Sequence, residues 1–206
     1  MAHETNYNIR FLQAAGIVMV VLGHIGYPSF FPNSPFSFYS FHMALFIFIS
    51  GFLYKDIYDN KSPFAYAIKK AKSLLIPFYI CLLFQGMLTN ILLEANLIGF
   101  GQKMTLENFF VFPWTYGPKY SFTAAYWFIP VFFLCVVIHQ VIRFLIKRNT
   151  LLELIVTILS IILGCYFITK CNALGGMYGG AMRQYQMLLA KVFILLPFMF
   201  IGKLMS

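Results

Sequence analysis

Two histidines, His24 and His42, are the residues of this sequence whose type and spacing favour catalysis. The segment between them contains three prolines within Tyr27–Pro35, a composition typical of a turn between two helices. We therefore expect both imidazoles at similar depth in two adjacent apolar helices. A neutral imidazole can accept a proton from an attacking hydroxyl, so the pair favours general-base chemistry. Histidines that pack in the interior and bond to a carbonyl are the alternative.

The composition indicates that the elements holding these histidines lie in lipid. Hydrophobic residues make up 61% of the 206 residues and charged residues 10%, whereas a soluble domain has roughly 25% charged residues. This composition excludes a water-soluble globule and a disordered chain. A disulfide scaffold is excluded because the four cysteines occur singly. The net charge of +9 comes from scattered basic residues, which does not favour nucleic-acid binding.

We predict an all-α fold, a polytopic transmembrane bundle of about six helices. Between Arg10 and Lys55, 44 residues carry no formal charge, which suits two spans and a hairpin. With a cytoplasmic N-terminus, ten basic residues fall in inner segments and four in outer ones, which favours that orientation. The predicted helices cover residues 9–26, 38–54, 73–98, 122–142, 151–169 and 186–204.

Other groups give weaker signals. No metal site is predicted, because no third ligand has a recognisable spacing to the histidines, and Glu94 is equally well an interfacial residue. Ser50 lacks the Gly-x-Ser-x-Gly context of a nucleophile elbow. The outer segment 99–121 is rich in aromatic residues, which favours an interfacial belt over sugar stacking and leaves open whether it folds over the bundle.

Five segments occur in the order found in a known family of membrane enzymes. The first two hold the histidines, in Ala14-Ala-Gly-Ile-Val-Met-Val-Val-Leu-Gly-His24 and Phe41-His-Met-Ala-Leu-Phe-Ile-Phe-Ile-Ser-Gly-Phe52. The others are Lys69-Lys-Ala-Lys-Ser-Leu-Leu-Ile-Pro-Phe78, Tyr126-Trp-Phe-Ile-Pro130 and Leu196-Pro-Phe-Met-Phe-Ile-Gly202. In these segments the chain resembles the acyltransferase-3 family, and residues 1–206 resemble the N-terminal part of its membrane domain.

The resemblance implies an O-acyltransferase of the plasma membrane. Such an enzyme transfers an acyl group, commonly acetyl from acetyl-CoA, to a sugar hydroxyl of a cell-surface or exported polysaccharide. It implies no bound cofactor, an acyl-CoA donor as substrate, and a glycan and the lipid bilayer as partners. It also assigns His24 as the essential histidine of the first helix and His42 as that of the second motif.

The remaining site candidates follow from this chemistry. Arg10 and Gln13 are candidate donors to an oxyanion. The basic residues on the inner side offer a surface for the donor's phosphates, although ordinary membrane topology also explains them. Lys69 and Lys72 are the site candidates among them, and the others are Lys70, Arg143, Lys147 and Arg148. Trp127 is a further candidate for substrate binding.

Two departures from the family pattern keep other functions open. Gln13 occupies a position where the family usually has Arg or Lys, and family members usually continue through more helices. The resemblance therefore predicts a short or truncated member. A non-catalytic remnant is one alternative, and a transporter or exporter of glycan or lipid-linked sugar is the other.

Overall fold

The computed structural model describes residues 7–24, 42–115, 119–120, 126–147, 149–173 and 180–206, with the side chains of 23, 24 and 180–182 left out. The predicted turn at Tyr27–Pro35 lies outside these residues. Within the described part of the chain, every regular element is a helix. The helices are α1 (Tyr7–His24), α2 (His42–Phe52), α3 (Pro63–Glu94), α4 (Leu106–Phe110), α5 (Phe128–Ile146), α6 (Thr150–Ala173) and α7 (Gly180–Leu204).

The helical membrane bundle predicted from composition is confirmed. Among the described residues, α3, α5, α6 and most of α7 are long and apolar enough to cross a membrane, while α1 and α2 are shorter apolar helices. Each predicted span corresponds to one of these six helices. The short α4 was not predicted, because its five residues give no periodic signal.

The predicted beginning of the third span, at residue 73, is wrong by ten residues. α3 begins at Pro63 and passes through a π-helical segment, Ala71–Leu75, before it continues to Glu94. Pro77 has no N–H to donate to the preceding turn, and the wider π turn lets the helix continue there instead of ending. Consequently Lys69, Lys70 and Lys72 lie on a helix and not in a loop before one.

Two glycines bring α2 and α7 into backbone contact. A Cβ atom at Gly51 would lie 2.0 Å from the carbonyl oxygen of Met199, and one at Gly202 would lie 2.1 Å from that of Phe48. Small residues permit this approach where apolar helices gain little from the hydrophobic effect. The crossing therefore fixes α2, which carries His42, against α7.

Alanine at Gly51 is expected to destabilise the bundle by about 3 kcal/mol, because its methyl group forces the two backbones apart. Thermal unfolding of the purified protein in detergent measures this loss. Gly99→Ala is the matched control, since nothing lies within 4 Å of a Cβ atom at that position. An equal unfolding temperature for Gly51→Ala and wild type would contradict the tight crossing.

The bundle has two ends, which we define by the segments found there. The inner end holds residues 53–62, 147, 149 and 205–206, and the outer end holds the described part of 95–127.

Trp114 donates a hydrogen bond of 2.8 Å to the Tyr79 hydroxyl, and the Tyr120 side chain is buried against Phe78 and Leu82. The described part of the outer segment 99–121 therefore folds over α3.

Candidate active site

A cavity of about 610 Å³ lies between α1, α2, the first half of α3 and the beginning of α5. We call it the central cavity. Its polar lining residues lie mostly toward the inner end, and they are Gln13, Ser50, Tyr54, Lys55, Tyr58, Tyr66 and Lys70. Its apolar lining residues are Ile17, Val20, Val21, Phe46, Ile49, Leu53, Leu74, Phe128, Ile129 and Phe132. The cavity thus has a polar inner mouth and an apolar outer part.

Helical periodicity carries the lining of α1 and α2 to the two histidines. On α1 the lining positions 13, 17 and 20 recur at the spacing of one helix face, and position 24 continues it. Leu53, directly after α2, and positions 49 and 46 of α2 line the cavity at the same spacing, which reaches His42 one turn farther along. His42 is 1% exposed and does not itself line the cavity. The His24 side chain lies outside the described residues. Position 24 lies about 5 Å along the helix beyond Val21, and position 42 about 6 Å beyond Phe46.

The two polar candidates on α1 occupy different surroundings. Gln13 lines the central cavity, whereas Arg10 is exposed near the beginning of the helix. Ser50, which has no nucleophile motif, lines the cavity opposite α1 on α2. The side chains that the cavity offers at this level are therefore an amide and a hydroxyl, both able to hydrogen-bond a neutral polar group.

The basic residues of α3 separate into three positions. Lys70 lines the central cavity, with its ammonium group 5.5 Å from the centre of the Tyr66 ring. Lys69 lies 5.3 Å from the centre of the Tyr58 ring. Lys72 lines a separate, apolar groove with Ile76 and residues farther along α3. The sequence candidates Lys69 and Lys72 are thus not neighbours in one site, and Lys70 is the lysine of α3 that reaches the cavity.

Three tyrosines and several lysines form the inner mouth. The rings of Tyr54, Tyr58 and Tyr66 pack against one another, with centroids 5.2–6.3 Å apart. Lys61 lies 5.5 Å from the centre of the Tyr58 ring, which also contacts Lys69. Because Tyr54 and Tyr66 are buried, at 5% and 4% exposure, the ammonium groups beside these rings are the part of the mouth suited to bind phosphates.

Trp127 lies at the outer end, immediately before α5. Its ring is half-buried and packs on Phe128, which lines the central cavity. The ammonium group of Lys191, in the middle of α7, lies 4.0 Å from the centre of the Trp127 ring. A cation in the apolar part of a bundle is costly, and this ring offers it an electrostatic partner.

A buried ionic cluster lies behind the inner mouth and was missed from the sequence. Arg143 of α5 binds both carboxylate oxygens of Asp59, at 2.9 and 2.8 Å, and also pairs with Glu153 of α6. The side chains of Arg143, Glu153 and Asp59 are 5%, 3% and 4% exposed. The assignment of Arg143 to a basic inner surface is therefore wrong, because the buried carboxylates of Asp59 and Glu153 enclose its charge and that of Asp56 lies 3.5 Å away.

The Tyr54 hydroxyl joins this cluster to the cavity wall. It donates to Asp59 at 2.8 Å and also contacts the side-chain oxygen of Gln140. Burial raises the pKa of Tyr54, and the hydrogen bond to Asp59 raises it further. The hydroxyl therefore remains protonated and a hydrogen-bond donor at neutral pH. Beside it, His139 is fully buried, with its ring 4.9 Å from that of Tyr54.

No metal centre is evident in the part of the chain that the structure describes. Among those residues, no three His, Cys, Asp or Glu side chains come together to hold an ion. The cavity instead offers amide, hydroxyl and ammonium groups on its polar side and an apolar outer part.

Comparison with known proteins identifies the family. The chain matches the acyltransferase-3 family model, described as an acyltransferase domain, over residues 6–206. The protein belongs to the acyltransferase-3 family. No curated protein and no solved structure matches it.

Membership confirms the resemblance drawn from the five segments and supports a membrane acyltransferase. The match includes every residue that lines the central cavity, so the cavity belongs to the acyltransferase domain itself. It also includes Gly51 and Gly202, two residues of the resembling segments whose role here is close helix packing.

Proposed function

We propose that the protein transfers an acyl group from an acyl-CoA to a sugar hydroxyl of a cell-surface or exported polysaccharide. The observation that supports this most strongly is the central cavity, whose lining on α1 and α2 leads by helical register to positions 24 and 42. The proposed setting is the plasma membrane, crossed several times, with the N-terminus and the inner end of the bundle facing the cytoplasm.

The donor is proposed to enter from the inner mouth. Its phosphates would be held by lysines around the tyrosine rings, and its slim pantetheine arm would follow the cavity outward. From Gln13 to His24 there are 11 residues, or about 16 Å of helix. The arm is uncharged, so no ion has to leave water along this length, and Gln13 and Ser50 on the cavity wall can hydrogen-bond its amide groups.

His24 is proposed as the general base and His42 as the residue that orients or exchanges the proton. His24 removes the proton of the sugar hydroxyl while the oxygen attacks the thioester carbonyl. The tetrahedral intermediate then collapses, the carbon–sulfur bond breaks, and the thiolate of coenzyme A takes up the proton held by His24, which returns to its neutral form. At the other end of the cavity, Gln13 is proposed to hydrogen-bond the donor arm, because a neutral amide has no charge with which to hold phosphate.

Labelled acetyl-CoA tests the proposal directly. Purified protein in proteoliposomes is supplied with donor carrying a radioactive acetyl group and with glycan-bearing lipid extracted from cell membranes. Label in the glycan with equimolar release of coenzyme A supports an acetyltransferase. Transport of glycan without label supports the exporter, and donor binding without turnover supports a non-catalytic relative. Either result would overturn the proposal for this donor.

Lys70→Met is expected to raise the donor KM about tenfold, because it removes one charge-assisted contact to a donor phosphate at the mouth. The rate at saturating donor should change little, since the reacting groups lie at the other end of the cavity. Lys72→Met is the matched control, two residues along the same helix but on the separate groove. Steady-state kinetics with acetyl-CoA measure both, and equal KM values for the two variants would contradict a donor site at Lys70.

A further inference from the structure

The segment between α2 and α3 forms one wall of the inner mouth. Tyr54, Lys55 and Tyr58 line the central cavity, and Asp56–Tyr58 form a single 3₁₀ turn. So short a turn has few bonds of its own to fix its position. What holds it must come largely from elsewhere in the bundle.

Side chains of α5 bind this turn from behind. The Gln140 amide nitrogen donates to the Tyr58 carbonyl oxygen at 2.5 Å, and the Gln140 oxygen contacts the Tyr54 hydroxyl. Arg143 binds Asp59, which follows the turn, and Glu153 of α6 pairs with the same guanidinium group. The turn is therefore attached to α5 and α6 through side chains that do not line the central cavity.

α7 supplies a third attachment. The Lys203 ammonium group lies 2.8 Å from the Asp56 carboxylate and donates to the Tyr54 carbonyl oxygen at 3.3 Å. Its side chain is 13% exposed. Three helices thus hold the backbone or side chains of residues 54–59 from the side away from the cavity.

Buried ions are a costly way to stabilise this part of the fold. Burying charges costs several kcal/mol per ion, and packed apolar side chains often stabilise a fold as well or better. The inner ends of helices in an apolar bundle could pack with leucine and phenylalanine, as most of this chain does. Directional bonds differ from apolar contacts in that they fix one geometry, here that of the mouth.

We propose that Gln140, Arg143 and Lys203 are positioning residues that hold Tyr54, Lys55 and Tyr58 in the geometry that receives the phosphate-bearing end of the donor. The inference rests on the proposed acyl-CoA donor and adds residues of α5 and α7 to its site. None of the three lines the central cavity, so their effect on the donor passes through the turn.

The sharpest variant is Gln140→Met, which keeps the length of the side chain and removes its bonds to the turn. We expect the KM for acetyl-CoA to rise about tenfold, as the loss of such bonds implies, with kcat within about twofold of wild type. Amide hydrogen exchange of residues 54–59 should become faster. Gln85→Met is the control, because Gln85 donates a hydrogen bond of 2.8 Å to Tyr126 at the outer end.

Lys203 provides the second test and a rescue. Lys203→Met should raise the donor KM in the same way, whereas Lys203→Arg keeps the charge and should restore the wild-type KM. A folded Gln140→Met protein with wild-type KM and wild-type exchange at 54–59 would overturn the inference, and so would a loss confined to kcat. If wild-type protein neither binds coenzyme A nor uses acetyl-CoA, the proposed function fails; the exchange measurement still tests the attachment of the turn.

Discussion

His24→Ala is expected to lower acyl transfer by about 10²- to 10⁴-fold, the contribution typical of a positioned general base. Without the imidazole, the sugar hydroxyl loses the proposed base that takes up its proton as the oxygen attacks. Donor binding at the inner mouth should be unchanged, because position 24 lies about 16 Å along α1 from Gln13. Initial rates with labelled acetyl-CoA, together with equilibrium binding of coenzyme A, separate the two effects.

Two further histidines calibrate this result. His3→Ala is the control, since residue 3 precedes the family match at 6–206. His42→Ala is expected to reduce kcat and leave the donor KM intact, consistent with a residue that orients the proton and does not remove it. Glycan acylation at the wild-type rate by His24→Ala protein of normal abundance would remove His24 from the mechanism.

The sequence predicted the helices because long apolar runs set the spans. The matched depth of His24 and His42 was inferred from the short connection between adjacent helices and stays a prediction. Family membership was recognisable because its motifs lie within single helices. The π segment of α3 was missed because hydropathy reports how apolar a helix is and not how its turns are wound.

The inner mouth was not predicted, because its parts are distant in sequence. Asp59, Arg143 and Glu153 are separated by up to 94 positions, and each lies near the end of a span, where a charge normally faces water. Counting Arg143 as part of a basic surface followed that rule and was wrong. The signal that was available is that acidic residues are scarce, six in all, and three of them flank the inner ends of α2, α3 and α6.

Gly51 illustrates a residue that the sequence marks without explaining. The resemblance drew attention to the segment that ends in Ser50-Gly51-Phe52, where Ser50 lacks the context of a nucleophile elbow. The structure shows that Gly51 allows the α7 backbone to contact α2. A family motif can therefore contain a residue that serves helix packing.

Arg143→Met is expected to destabilise the folded protein by about 3–5 kcal/mol. The substitution removes one charge and leaves the carboxylates of Asp59 and Glu153 buried at 4% and 3% exposure with their principal cation gone. Protonation of one carboxylate would relieve part of this penalty, so the loss should be smaller at low pH. Thermal unfolding in detergent at pH 7 and at pH 5 measures both effects.

Two control variants accompany Arg143→Met, one with an exposed ion pair broken and one with the whole buried cluster removed. Lys103→Met breaks the Lys103–Glu94 pair, whose side chains are 63% and 67% exposed, and exposed pairs contribute at most about 1 kcal/mol. The triple variant Asp59→Leu, Arg143→Met, Glu153→Leu removes the ions together and should unfold near the wild-type temperature, because no charge is left unpaired. A triple variant that unfolds near the wild-type temperature but has a raised donor KM would separate two roles of the cluster. The ions would then position the inner mouth without adding to the stability of the fold. An Arg143→Met protein as stable as Lys103→Met would show that the cluster is hydrated in solution.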